Sequence, residues 1–138
     1  MEDVTFNLKN RQKLKKWIST IGIRENRVIG NVNFIFCTND NILDINVKYL
    51  NHHYFTDIIT FNYNLKNIIH GDIYLSVDKI CENSALYEVE FLDELYRVMI
   101  HGILHLIGYN DTSVKLQKQM SAKEDEALKI LKDEFLLK

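Results

Sequence analysis

His101 and His105 stand four residues apart in the stretch His101-Gly102-Ile103-Leu104-His105-Leu106-Ile107-Gly108-Tyr109-Asn110-Asp111. Four residues is just over one helical turn, so on a helix both imidazoles leave the same face. Zinc takes His nitrogen in a tetrahedral array, and a helical pair can fill two corners. Gly108 stops such a helix and lets the chain fold back, which brings Asp111 into range of a third corner. A fourth corner left to water makes a site catalytic rather than structural. The metal-free alternative is a pair of core histidines, each hydrogen-bonded to a neighbour. Asp111 has an alternative too, as the cap of a following helix, although Thr112 and Ser113 can serve there instead.

The elements that must position these residues can be read from periodicity. Glu88 to Ile107 reads as one long helix, apolar almost all round in its second half, as a helix buried in a core does. Gly102 inside it costs about 1 kcal/mol against alanine, so it relieves a close contact or opens room beside the metal. Arg11 to Ile21 reads as an amphipathic helix with Leu14, Trp17, Ile18 and Ile21 at helical spacing. Val28 to Cys37 reads as a strand. Thr38, Asn39 and Asp40 offer caps for a helix over Ile42 to Leu50. Asp57 to Tyr63 and Ile68 to Val77 are β-branched and aromatic, and are expected to pair as neighbouring strands. Val4 to Asn7 is a candidate edge strand. Ser76 or Asp78 caps a short helix through Leu86, and a last helix is expected from Ser113 to Leu136. Strands and helices first, then helices only, indicate an α+β fold: a small mixed sheet packed with helices around a central histidine-bearing helix, with a zincin-like metal site.

The chain has 138 residues with 46% hydrophobic content, enough for a single domain over 1–138 with a real core. No apolar run is long enough to span a bilayer, and the acidic start Met-Glu-Asp-Val-Thr carries no signal-peptide core. A cytoplasmic protein with no membrane partner is expected. Cys37 and Cys81 form no Cys-x-x-Cys motif and read as small buried apolar residues. The net charge of −2 does not announce a nucleic-acid binder, but its distribution is uneven. Lys9, Arg11, Lys13, Lys15, Lys16, Arg24 and Arg27 have only Glu25 among them, a surface able to hold phosphates or simply a solvated helix face.

The histidine segment closely resembles the signature of the YbeY family of endoribonucleases and rRNA maturation factors, His-Gly-x-Leu-His-Leu-x-Gly-Tyr-Asp-His. Thr56-Asp57-Ile58-Ile59-Thr60-Phe61, preceded by Leu50-Asn51, resembles the family's Thr-Asp-Val-Leu-Ser-Phe strand, and Gly71-Asp72-Ile73 its Gly-Asp-Ile strand. The resemblance spans most of the chain. It implies a metal-dependent hydrolase that cleaves single-stranded RNA and acts in rRNA maturation, especially 16S rRNA 3' end processing, and in ribosome quality control. Implied partners are rRNA precursors and the ribosome or its small subunit. His101, His105 and Asp111 are the implied ligands of one Zn2+ ion. Two departures matter. Asp111 stands where the family has histidine; carboxylate is an accepted zinc ligand, but it shifts preference toward metals such as manganese. The stretch Asn51-His52-His53-Tyr54-Phe55-Thr56 is shorter than its counterpart and lacks an arginine that members usually carry; His52 or His53 replaces its charge only when protonated.

Two other functions compete. The spacing matches zincin proteases in outline, but those place a glutamate directly after the first histidine, where this chain has Gly102; Glu90 and Glu94 lie at the wrong spacing to substitute. A non-catalytic ribosome-assembly factor with a structural metal is the alternative of a different class. Single-strand binding needs a basic track and stacking aromatics, for which the basic N-terminal segment, Trp17, Tyr54 and Tyr63 are candidates.

Overall fold

The computed structural model describes residues 8–50 and 57–136. Helix α1 (Arg11–Arg24) leads into strand β1 (Val28–Cys37) and helix α2 (Asn39–Ile45), which widens into a π-helical turn, Asn46–Leu50. Strands β2 (Ile58–Asn62) and β3 (Ile68–Ser76) follow, then α3 (Val77–Tyr87), α4 (Phe91–Ile107) and α5 (Val114–Ile130), which also widens at its end, over Leu131–Leu136. The sheet is mixed, in the order β1-β3-β2: β3 pairs parallel with β1 and antiparallel with β2. The expected pairing of these two neighbouring strands is therefore present, and the α+β architecture is as the sequence implied. Val4 to Asn7, and His52, His53 and Tyr54, lie outside the described residues.

Alternation along β3 divides its side chains between two layers. Ile69, Ile73 and Leu75 join the main core with α1 and α4, while Tyr74 packs with Ile42, Ile45 and Ile59 on the other face. Helix α4 is apolar nearly all round because it is buried nearly all round: Leu95, Met99, Ile100, Ile103 and Leu104 are almost wholly inaccessible. Trp17 is fully buried, and its indole N–H donates to the Ala127 carbonyl at 2.8 Å. It anchors α1 to α5 and has no face left for a base. Cys37 is buried as expected, but Cys81 is exposed, because it falls on the solvent side of α3.

Several boundaries move for local reasons. The long helix expected from Glu88 starts at Phe91, because Glu88 takes a left-handed conformation (φ 58°) that closes α3. The Val89 N–H then donates back to the Ser84 carbonyl. Helix α2 begins before Ile42 because the Thr38 side chain accepts the Asn41 N–H at 3.1 Å. Among the helices of the described residues, none is long and apolar enough to cross a membrane.

Two glycines let α4 lie close to the sheet. A Cβ on Gly102 would sit 2.9 Å from Ile58 and 3.0 Å from Ile73, so Gly102 relieves a contact with the sheet and does not open space beside the histidines. A Cβ on Gly71 would sit 2.6 Å from the Phe61 carbonyl and 2.9 Å from Leu106. The backbone cannot yield as a side-chain tip can. Gly71→Ala is expected to lose about 1–3 kcal/mol of unfolding free energy in denaturant titration; wild-type stability would show that β2 and α4 adjust freely.

Candidate metal centre

The two histidines occupy the one strip of α4 that the core leaves open. Their side chains are 21% and 26% exposed, and the rings meet edge to face with centroids 4.6 Å apart. Helix α4 ends at Gly108, whose φ of 129° suits a residue without a Cβ. The Gly108 and Tyr109 N–H groups both donate back to the Leu104 carbonyl. The Asn64 side-chain amide donates to the Leu106 carbonyl at 2.7 Å, so the β2–β3 turn also caps this end.

Past the turn, Ser113 caps α5 by accepting the Leu116 N–H at 3.1 Å. Asp111 is thereby released from the capping role. Its backbone carbonyl accepts from the Gln117 amide, and its carboxylate turns toward the histidines. Asp111 Oδ2 is 3.6 Å from His101 Nε2, and Oδ1 is 3.8 Å from His105 Nε2. One ligand atom from each of the three residues lies within 4.8 Å of the others, so this cluster could hold a metal ion. The donor set, two imidazole nitrogens and one carboxylate oxygen, is one that catalytic zinc accepts.

Sequence spacing did not reveal the support behind it. His101 Nδ1–H donates to Glu124 Oε2 at 2.5 Å. Glu124 comes from the middle of α5, and its other oxygen accepts from Arg97 at 2.8 Å. Arg97 also donates to Asp125 at 2.6 Å. With its Nδ1 proton held by a carboxylate, His101 presents the Nε2 lone pair to the cluster. Arg97 carries a faint sequence signal, since it precedes His101 by one helical turn. Glu124 carries none, because only the packing of α5 on α4 makes it a neighbour.

A cleft of roughly 540 Å³ opens beside the cluster, lined by Asp57, Glu94, Arg97, His101, Asp111 and Glu124 among others. Burial opposes the charged form of His101, but the hydrogen bond and charge of Glu124, with Asp111 and Asp57, outweigh it and raise its pKa above 6.5. Burial and the positive charge of His101 push His105 the other way, which favours its neutral, ligating form. Burial raises Asp57, partly offset by His101. Glu94 is only 6% exposed; burial, then the nearby Asp57, raise its pKa.

Relationships to known proteins extend along most of the chain. Residues 2–132 match the family described as endoribonuclease YbeY. The chain belongs to the YbeY family. A protein of that name from Flavobacterium psychrophilum is 43% identical over 128 residues, covering 93% of this chain and 91% of that protein. Another, from Azobacteroides pseudotrichonymphae, is 48% identical over 126 residues, covering 91% of each. The solution structure of a Thermotoga maritima protein superposes with a TM-score of 0.66 at 28% identity, covering 95% of this chain and 89% of that one. The segment that resembles the family's histidine motif forms the α4 end of the cluster.

Two measurements probe this support. Glu124→Ala should weaken metal affinity about 10–100-fold by calorimetric titration, while the fold persists in circular dichroism; unchanged affinity would remove Glu124 from the site. Glu94 binds its proton more tightly folded than unfolded, so stability falls as pH rises above 4.5, where the unfolded group ionises. Glu94→Gln should therefore raise the melting temperature at pH 7, with the gain shrinking to nothing below about pH 4.5. A gain independent of pH would assign the effect to packing instead.

Proposed function

We propose that this chain is a metal-dependent endoribonuclease that hydrolyses phosphodiester bonds in single-stranded RNA. The observation that carries this is the convergence of His101, His105 and Asp111 beside an open cleft that His101 and Asp111 line, in a chain of the endoribonuclease YbeY family. On this reading the three residues are the ligands of one Zn2+ ion, with manganese the alternative that the Asp111 carboxylate favours. When bound, such an ion supplies a Lewis acid for a phosphoryl oxygen and a water of lowered pKa.

The chain's own residues do the rest. Glu124 fixes the His101 ring and its tautomer. Asp111, held through its backbone by Gln117, supplies the oxygen donor. Helix α4 and the sheet keep the two imidazoles in register, so little reorganisation is needed on binding. The substrates proposed are rRNA precursors, especially at the 16S rRNA 3' end, with the ribosome or its small subunit as partner and ribosome quality control as the setting. The chain acts there as one domain over residues 1–138, in the cytoplasm.

Peptide hydrolysis does not fit. The position after His101 is Gly102, pressed against Ile58 and Ile73 with no room for a glutamate. The cleft beside the cluster favours catalysis over a purely structural metal, since structural zinc sites are closed by four protein ligands.

The test is metal content and cleavage of a single-stranded oligoribonucleotide in wild type and His105→Ala, each reconstituted with zinc or manganese. Wild type should hold one ion per chain and cleave. His105→Ala should stay folded, lose the ion and lose at least about 100-fold in rate. Full cleavage by a verified metal-free His105→Ala protein would overturn the proposal. Unfolding of that variant together with inactivity of the metal-loaded wild type would assign the metal to structure in an assembly factor.

A further inference from the structure

We infer that the solvent face of α1 is a docking site for RNA phosphates, separate from the metal centre, which anchors the strand whose scissile bond enters the cleft. This rests on the chain being an RNA hydrolase.

Charge is segregated along the molecule. The segment from Lys9 to Arg27 has seven cations and one carboxylate, a net of +6 in a chain of net −2, so the remaining residues carry −8. Helix α1 itself contains no acidic residue. Its buried face is Leu14, Trp17, Ile18, Ile21 and Gly22, which turns Arg11, Lys13, Lys15, Lys16 and Arg24 to solvent. Among the described residues none of these five makes an ion pair. Arg11 and Lys15 are four residues apart and Lys13 and Lys16 three, spacings at which like charges repel along a helix. A strand of phosphates laid along this face relieves that repulsion and releases counterions.

The cleft cannot supply this attraction itself. Asp57, Glu94, Asp111 and Glu124 line it against Arg97 and His101, and Arg97 is already paired with Glu124 and Asp125. A metal ion offsets part of the negative charge, but only locally. A polyanion held at such a cleft needs its anchoring charges elsewhere.

Helix α1 is placed to provide them. Glu25, directly after the helix, accepts from the Tyr109 hydroxyl at 2.8 Å and from Lys123 at 3.1 Å. Tyr109 lies two residues before Asp111 on the same turn. The C-terminal end of α1 is therefore tied to the turn that carries Asp111. From there the helix is about 21 Å long, with Arg11, Lys13, Lys15 and Lys16 in its N-terminal half.

The test is a triple variant, Lys13→Gln, Lys15→Gln and Lys16→Gln, beside the charge-keeping triple of Lys→Arg changes. Binding of single-stranded oligouridylate, about 16 nucleotides long, is measured by anisotropy across a salt series in chelator. The Gln triple should bind about tenfold more weakly at low salt, and its slope of log affinity against log salt should shrink by about 2. The Lys→Arg triple should match wild type. With metal restored, the Gln triple should raise KM for the long RNA at unchanged kcat and leave cleavage of a dinucleotide, too short to reach α1, as in wild type. An unchanged affinity and slope would overturn the inference. So would equal losses on long RNA and dinucleotide, which mark a damaged fold. Loss of binding to anionic lipid vesicles with RNA binding intact would also overturn it, assigning the face to a membrane surface. Failure of the hydrolase reading is distinguishable: wild type would then cleave neither RNA nor dinucleotide, yet still bind oligouridylate with a slope that the Gln triple loses.

Discussion

Helix α4 is buried along most of its length, and the sheet and the helices α1, α3 and α5 are arranged around it. A helix packed against the sheet on one side, α1 on another and α3 and α5 beyond leaves only one strip of its surface in contact with solvent. His101 and His105 occupy that strip, four residues apart. Two imidazoles set so deep need polar partners, and the chain supplies them from its last helix and from the turn that leads to it. Glu124 takes the inner nitrogen of His101, and Asp111 faces the outer nitrogens of both rings. The close approach of helix and sheet at Gly71 and Gly102 belongs to the same arrangement, since it sets the depth at which the histidine strip meets the cleft.

The electrostatics of the site follow from its depth. Carboxyl groups from separate segments line the same cleft: Asp57 from just before β2, Glu94 from α4 itself and Glu124 from α5. Burial disfavours the charged forms of Asp57 and Glu94, and neighbouring carboxylates add to this, so both hold their protons more tightly than ordinary carboxyls. The same field raises His101 while His101 in turn lowers His105, so the two imidazoles of one motif are not equivalent. A cation between the rings and Asp111 would take the place of the proton that His101 otherwise favours. The cations of α1 belong to none of this, since they lie on the solvent face of that helix, opposite the buried Trp17 side.

Family membership and geometry support each other without being the same observation. The family histidine motif accounts for the two imidazoles and the turn after them. It does not account for Asp111, whose carboxylate the structure nevertheless brings beside both rings. The turn through Gly108 delivers a carboxylate to within 4 Å of both rings, because Ser113 does the capping and Gln117 fixes the backbone of Asp111. The turn itself is closed by the Gly108 and Tyr109 N–H groups, which both donate to the Leu104 carbonyl.

Most of the elements, and the meeting of His101, His105 and Asp111, were legible in the residues alone. Periodicity placed Val28–Cys37 as a strand to the residue, paired β2 with β3, and put His101 and His105 on one helical face, because strand alternation and helical spacing are local properties. Asp111 was legible because a glycine turn follows at short range. Only tertiary structure decided what long-range packing controls. Glu88 ends α3 instead of starting α4, since its left-handed conformation answers to the packing of two helices and not to its side chain. Trp17, equally suited by type to stacking on a base, is fully buried against Ala127, and Cys81, equally suited to the core, is exposed. Glu124 reaches His101 across 23 residues, and Glu25 reaches Tyr109 across 84. No spacing rule encodes such pairs; they exist because α1 and α5 bury their apolar faces against the same helix.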